Sequence, residues 1–406
     1  MIKVIHLQKH LPSSGNAAFR LHQAMRLSDI DSTMLSLTSD LQENDLIKHL
    51  GTKAYLISFI NGKSESFLTK NSLKEFGVFS YPIFGTDISK NEQVKNADII
   101  YLHWVIGGFL NLNSIERLVR LGKPIIFFMH DMWPITGGCH YSFTCEKYAT
   151  KCNNCQMFPS RKKNDLSKKE FDKKIRLYSK YNNLYFVSPS KWLYDCAKKS
   201  FLTINKPVFY IPNILDNTLF KPIDKKLARQ ILNLNMEGTV ISFGSLSLDS
   251  PYKGWTYLQK ALELLPHDKN ISVLIFGSGY SKKIADSISF KTMFMGRLRD
   301  EYSTVLAYNA ADVFIAPSLA DNLPTTIFES LSCGTPVVGF KVGGIPDMIK
   351  HKENGYLAKY RDAEDLAEGV KFCLEKKIKG YILPDLEQNI IINKHLELFK
   401  EVRLRK

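Results

Sequence analysis

No stretch of this 406-residue chain runs for the roughly 18 uncharged apolar residues that a bilayer-crossing helix needs, so a membrane-spanning protein is not expected. The opening MIKVIHLQKH holds too short an apolar run for a secretory signal, and a cytoplasmic protein is expected. No internal repeat or low-complexity tract stands out, and no zinc-finger or RRM pattern is visible, which argues against a dedicated nucleic-acid module. Acidic residues are in deficit, 40 Asp and Glu against 55 Lys and Arg, for a formal net charge of +15. That balance suits an anionic partner such as nucleic acid, an anionic membrane surface or a phosphorylated substrate; it is equally what a chain shows when lysine merely solubilises it. The densest basic run, SRKKNDLSKKEFDKKIRLYSK at 160–180, also holds Asp165, Glu170 and Asp172 and reads in part as a solvated helix face. Cysteine is sparse outside one cluster: Cys196, Cys333 and Cys373 are scattered and fit buried small apolar positions, and disulfides are not expected in a cytosolic chain.

What is present is an alternation of strand and helix patterns, long enough for two domains at about 100–200 residues each. IKVIHL followed by a Pro-Ser-Gly loop and a helical pattern opens an α/β domain. ADIIYLHW, KPIIFFMHD, NLYFVSPS and KPVFYIPN are continuous apolar runs of the kind buried on both faces of a parallel sheet. YIPNILDNTLFKP at 210–222 carries two prolines and no strong period, and the boundary is placed there. The pattern then restarts with strands TVISFGSLS, ISVLIFGSG, KTMFMGRL, DVFIAPS and TPVVGF among helices. The expectation is an α/β protein with a doubly wound parallel sheet in each of two Rossmann-like domains, at 1–210 and 211–385, facing a central cleft. A terminal helix at 386–406 is expected to pack back on the first domain.

The stretch APSLADNLPTTIFESLSCGTPVVGF places Asp321 in a loop at a strand's carboxyl end. Pro324 falls in the first turn of the following helix and Glu329 roughly two turns in. Free N–H groups at such a helix start suit an anion, and a carboxylate nearby suits ribose hydroxyls; a solvent-facing Glu329 with Asp321 as a cap satisfies the same spacing. The whole string favours the first reading. Asp321 to Glu329 resembles the acidic E-x7-E element of family-four retaining glycosyltransferases of the GT-B fold, here D-x7-E. SCGTPVVGFKVGGIPDMI, YLAKYRDAEDLAEGV, SPSKWL, FGSLSLDSPYKGW and MGRLRDEYSTVLAYNAADVFIAPS are similar to that family as well. HDMWPITGGCHYSFTC resembles a subgroup that builds bacterial surface polysaccharides, of the colanic-acid type.

The resemblance implies roles. Glu329 would hold the ribose, Asp321 would lie by the donor sugar, and Asn322, Leu323, Pro324 and Thr325 would offer backbone to sugar or phosphate. Lys253 in PYKGW would neutralise the leaving diphosphate as its charge grows. Where the family has an Arg after the strand glycine this chain has Ser245; Arg297 is the alternative source of charge. Gly15 and Asn16 match the family's glycine loop, and His130 matches a histidine that contacts the donor sugar, with His103 a weaker candidate on the acceptor side. The implied activity is transfer of a hexosyl or N-acetylhexosaminyl group from a UDP- or GDP-sugar to a glycan hydroxyl. The acceptor would be lipid-linked, the anomeric configuration kept, and no divalent metal needed at the active site. A nucleotide-sugar epimerase or hydrolase on the same fold, or a non-catalytic GT-B partner subunit, are the competing expectations. The protein is expected at the inner face of the plasma membrane, its basic surface near Arg161 meeting anionic lipid, with no nucleic-acid partner. Cys139, Cys145, Cys152 and Cys155, spaced C-x5-C-x6-C-x2-C, suit a structural zinc with His140 as a substitute ligand, or are reduced thiols.

Overall fold

The computed structural model describes residues 1–12, 16–160, 162–234, 237–245, 250–266, 268–298 and 300–404, with Lys283 described by its backbone alone. It divides into two compact units, Met1–Ile214 with Asn389–Lys406, and Leu215–Gln388.

The first unit holds a seven-stranded sheet in the order β3-β2-β1-β4-β5-β6-β7, with every neighbouring pair parallel. The strands are β1 (Lys3–Leu11), β2 (Asp31–Ser39), β3 (Ile47–His49), β4 (Ile99–Leu102), β5 (Ile125–Phe128), β6 (Leu184–Ser188) and β7 (Val208–Tyr210). Helices α1 (Ala17–Leu27), α2 (Thr52–Thr69), α3 (Glu92–Asn96), α4 (Leu112–Val119), α5 (Leu166–Lys180) and α6 (Lys191–Lys199) connect them. The central strands β4, β5 and β6 are buried throughout, as their unbroken apolar sequence requires of strands covered on both faces.

The second unit repeats the plan in six parallel strands, ordered β10-β9-β8-β11-β12-β13. They are β8 (Thr239–Gly244), β9 (Ile271–Phe276), β10 (Lys291–Gly296), β11 (Val313–Ala316), β12 (Val337–Phe340) and β13 (Gly355–Ala358). Its helices are α7 (Lys225–Ile231), α8 (Trp255–Glu263), α9 (Lys282–Ala285), α10 (Glu301–Ala310), α11 (Thr325–Ser332) and α12 (Ala363–Glu375). The final helix, α13 (Gln388–Leu404), belongs to the first unit: Ile391, Ile392, His395, Leu398, Phe399 and Val402 form its buried stripe against Val4, Leu21, Ile99, Tyr101 and Phe128. In each sheet the winding reverses once, between β1 and β4 and between β8 and β11. The loops at the carboxyl ends of these strands are where an open parallel sheet leaves room for a ligand.

The basic run at 160–180 is in part a solvated face, as expected: Lys162, Lys163, Lys169, Arg176 and Lys180 are exposed. Arg161 lies outside the described residues, while Glu170 and Lys174 of α5 are fully buried beside Phe171 and Tyr178. Lys174 Nζ donates to the carbonyls of Trp133 and Thr136 and sits 3.7 Å from the centroid of the Trp133 ring, so this one cation of the run is spent inside the unit.

Candidate functional site

In the first unit, the strand ends carry a row of histidines. His6 on β1, His103 just past β4 and His130 just past β5 stand on three adjacent strands, and their rings form a chain. His6 Nδ1 lies 2.9 Å from His103 Nε2, and His103 Nδ1 lies 2.9 Å from His130 Nε2. Burial drives the pKa of all three down. For His103 the neighbouring His130 and His6 add to the effect, and His130 reaches about 4 although Asp131 pulls the other way. The rings are therefore neutral at pH 7, each with one N–H and one lone pair, so both links must run in the same direction. His6 Nε2 is buried without a partner. An orphaned lone pair is tolerated better than an orphaned N–H, so His6 donates through Nδ1, His103 donates onward, and the proton of His130 is left on Nδ1. This arrangement leaves His130 neutral with its proton on Nδ1. His103, His130, Asp131, Trp104, Trp133 and Phe128 line one pocket at these strand ends. Asp131, the one acid adjoining His130, is engaged elsewhere: Oδ2 lies 2.6 Å from His140 Nδ1, and Oδ1 accepts from the Trp133 N–H at 2.8 Å. Burial pushes its carboxyl up, but the His140 charge and hydrogen bond outweigh that and hold it low.

In the second unit, Lys253 Nζ meets Asp321 Oδ2 at 2.7 Å. Ser318 Oγ donates to the same oxygen at 3.2 Å, and Asp321 Oδ1 accepts from the Asn322 N–H at 3.1 Å. Two glycines make this approach possible. A Cβ on Gly254, at φ +64°, would lie 1.9 Å from the Pro317 carbonyl oxygen, and one on Gly343, at φ +56°, would lie 1.9 Å from the Asp321 carbonyl oxygen. The Leu319 N–H also donates to the Tyr252 carbonyl at 2.6 Å, tying the loop after β11 to the PYKGW turn. Glu329 is buried, 5% exposed, and its Oε2 accepts from the Tyr308 hydroxyl of α10 at 2.9 Å; the solvent-facing alternative does not hold. Asn322 and Leu323 are buried as well.

Several expectations need correction. Pro324 is the N-cap residue of α11 rather than part of its first turn, and Glu329 is the fifth helical residue, little more than one turn in. Arg297 is exposed just past β10, whereas Ser245 is buried just past β8, its N–H on the Phe276 carbonyl. Gly15 lies outside the described residues; Asn16 is the left-handed N-cap residue of α1, without a side-chain capping bond. Asp29-Ile30-Asp31 is an Asp-x-Asp string, but it enters β2 at the amino end of the strand, with Asp31 3.4 Å from Arg26.

The four clustered cysteines are all free thiols, and among the described residues no three His, Cys, Asp or Glu side chains are grouped to hold a metal. Cys152 sits in the main apolar core of the first unit, while Cys139 and Cys155 pack on a separate cluster of Phe79, Met157 and Phe158. Burial pushes the Cys139 thiol up to about 12 and Cys155 to about 11. His140 has both ring nitrogens committed, Nδ1 to Asp131 and Nε2 to Ser80 Oγ at 2.9 Å. Tyr308 and His6 are not among the expected site residues, although Tyr308 lies within the family-like string MGRLRDEYSTVLAYNAADVFIAPS.

Residues 237–376 match the family Glycosyl transferases group 1. Over 182 residues the chain is 30% identical to a D-inositol 3-phosphate glycosyltransferase of Mycobacteroides abscessus, an alignment covering 41% of this chain and 39% of that protein. The chain thus spans about two fifths of the length of that curated relative. A longer alignment, 22% identical over 308 residues and 71% of both chains, reaches the "Putative colanic acid biosynthesis glycosyl transferase WcaC" of Escherichia coli K12. Among solved structures, Anabaena Alr3699/HepE in complex with UDP-glucose has the same fold, with a TM-score of 0.62 at 15% identity over 99% of this chain and 100% of that one. Residues 237–376 are a glycosyl transferases group 1 domain, set in a chain whose two parallel-sheet units have the GT-B fold.

Proposed function

We propose that this protein transfers a sugar from a nucleotide diphosphate sugar to a hydroxyl of a growing, lipid-linked surface glycan, with retention of the anomeric configuration. The observation that carries the reading is the pairing of Lys253 with Asp321, beside the start of α11, within the segment that matches the family. A half-exposed ammonium already held by a carboxylate can exchange that partner for a diphosphate, and it stabilises the charge that builds as the leaving group departs. Glu329, buried and held by Tyr308, is the proposed ribose ligand; Asn322 to Thr325 supply backbone groups. His130 is the proposed catalytic residue of the first unit. The relatives named above support a UDP-sugar and an acceptor of the polysaccharide class, and with them a site of action at the inner face of the membrane.

A thermal-shift series with UDP, GDP and their sugars tests this, because a ligand that binds only the folded state raises stability by RT ln(1 + [L]/Kd). One nucleotide series should raise the midpoint. Lys253→Ala and Glu329→Gln should each weaken that nucleotide by about 1.5–3 kcal/mol, the value of a charge-assisted hydrogen bond, while the ligand-free midpoint stays close to wild type. Equal shifts in wild type and both variants would remove the assignment.

A further inference from the structure

Helix α2 is built inside out. Of its 18 residues only Ala54 and Asn61 are buried, and most of its bonds to the body of the first unit are made by polar side chains. Asn61 is fully buried, and its Oδ1 accepts from the N–H groups of Ile83 and Phe84 at 2.9 Å each. Glu65 accepts from the Tyr81 N–H at 2.6 Å and from Asn61 Nδ2 at 3.0 Å, and Ser58 Oγ donates to the Gly107 carbonyl at 3.0 Å. The outer side carries Tyr55, Leu56, Phe59, Ile60, Phe67 and Leu68, all between 40% and 67% exposed. An apolar face of this extent on a water-facing helix marks a surface that is covered in use.

The charges around that face say what covers it. Lys53, Lys63 and Lys70 are exposed on or beside the helix; Lys63 Nζ stands 5.5 Å from the Phe59 ring centroid and Lys70 Nζ 4.8 Å from that of Phe67. Glu65 is the helix's one acid, and it is turned inward on Tyr81 and Asn61. Aromatic and aliphatic groups bordered by ammonium groups, with no carboxylate among them, match the layered chemistry of an anionic lipid surface: acyl chains beneath, phosphate above. No described helix is long and apolar enough to cross a membrane, so α2, about 27 Å long, would lie in the interface rather than span it.

We propose that α2 is the membrane-docking element of this protein, lying on anionic lipid with Leu56, Phe59, Ile60 and Phe67 inserted and Lys53, Lys63 and Lys70 on the headgroups. The Gly107 carbonyl that holds Ser58 belongs to the loop following β4, the strand that also delivers His103 to the pocket. Docking through α2 therefore brings the histidine pocket to the lipid surface, where a lipid-linked acceptor is presented. That last step rests on the proposed function; the docking itself does not.

The test is co-sedimentation of the full chain with vesicles of phosphatidylglycerol and phosphatidylethanolamine, against vesicles of phosphatidylcholine alone, with no nucleotide or acceptor present. The wild type should pellet with the anionic vesicles and not with the neutral ones. The double variant Leu56→Glu/Phe59→Glu should lose that binding by about tenfold or more, because two inserted side chains become charged. Lys53→Glu/Lys63→Glu should weaken it also, with the largest shortfall from wild type at low salt, where charge acts most strongly. Circular dichroism melts and the nucleotide shift of the variants should match wild type, which separates failed docking from failed folding or a failed transferase reading. Wild-type protein left in the supernatant, or variants that pellet as well as wild type, would overturn the proposal. So would a dimer in solution that Leu56→Glu/Phe59→Glu converts to monomer, since a second copy would then be the occupant.

Discussion

Asp321 and Glu329 sit eight positions apart and are handled by different physics. Asp321 has a cation at 2.7 Å, whereas Glu329 is buried against the Tyr308 hydroxyl. Removing that hydroxyl takes a donor from a buried carboxylate, so Tyr308→Phe should cost about 1.5–3 kcal/mol of stability, read by urea denaturation, and should weaken nucleotide binding through Glu329. An unaltered midpoint would mean that Glu329 is satisfied by its other contacts. Gly343→Ala puts a methyl group against the Asp321 carbonyl at a left-handed φ, so it should displace the Asp321 loop and lower turnover more than it lowers the melting temperature. The carboxylate pair, Lys253 and the strand-end histidines were legible as residue types at motif positions. Tyr308 was not, because its role depends on α10 lying against α11, and neighbouring helices leave no mark at any fixed sequence spacing. The tautomer of His130 was equally invisible, since it follows from the unpartnered nitrogen of His6 two strands away. Nitrogen-15 NMR of the histidine rings should find His130 neutral and protonated at Nδ1 at pH 7; an Nε2 proton would reverse the chain.

At the scale of elements, the strands with continuous apolar runs were readable, and they are the sheet centres. β2, β3 and β13 were not anticipated: β2 mixes Ser and Thr with its apolar residues, and β3 has only three residues. α2 escaped for a stronger reason. A helix is read from an apolar stripe that turns inward, and here the polar positions Ser58, Asn61 and Glu65 turn inward instead. α13 shows the ordinary rule. Phe399 is fully buried in the core that includes Tyr101 and Phe128, so Phe399→Ala should destabilise the first unit by about 3–5 kcal/mol, measured by denaturant melts.

For the molecule as a whole, buried histidine sets the response to acid. His22 and His130 are held near 4 and His395 near 3, each chiefly by burial, and His6 and His103 are lowered as well. These groups are neutral in the folded chain, and the unfolded chain protonates them near pH 6.5. Between those values the unfolded state binds more protons, so stability is full above about pH 6.5 and falls as the pH drops toward about 4, by up to about 1.4 kcal/mol per pH unit for each such group. A urea midpoint that is flat from pH 7 to pH 5 would contradict this. His395, bound at Nδ1 by the Tyr101 hydroxyl 2.9 Å away, couples α13 to the same titration.

Local order and chemistry were in the sequence itself: where apolar runs are long enough to be buried on both faces, where proline and asparagine interrupt them, and which string around Asp321 and Glu329 resembles a glycosyltransferase family. These depend on neighbours along the chain. Tertiary structure alone decided which charges are spent inside and which are offered outside. Lys174 and Glu170 look like surface residues in a basic run and are fully buried, while Leu56, Phe59 and Phe67 look like core and face water. In each case the deciding quantity is burial, which is set by what packs against a side chain from distant parts of the chain, and a residue's sequence neighbours do not carry it.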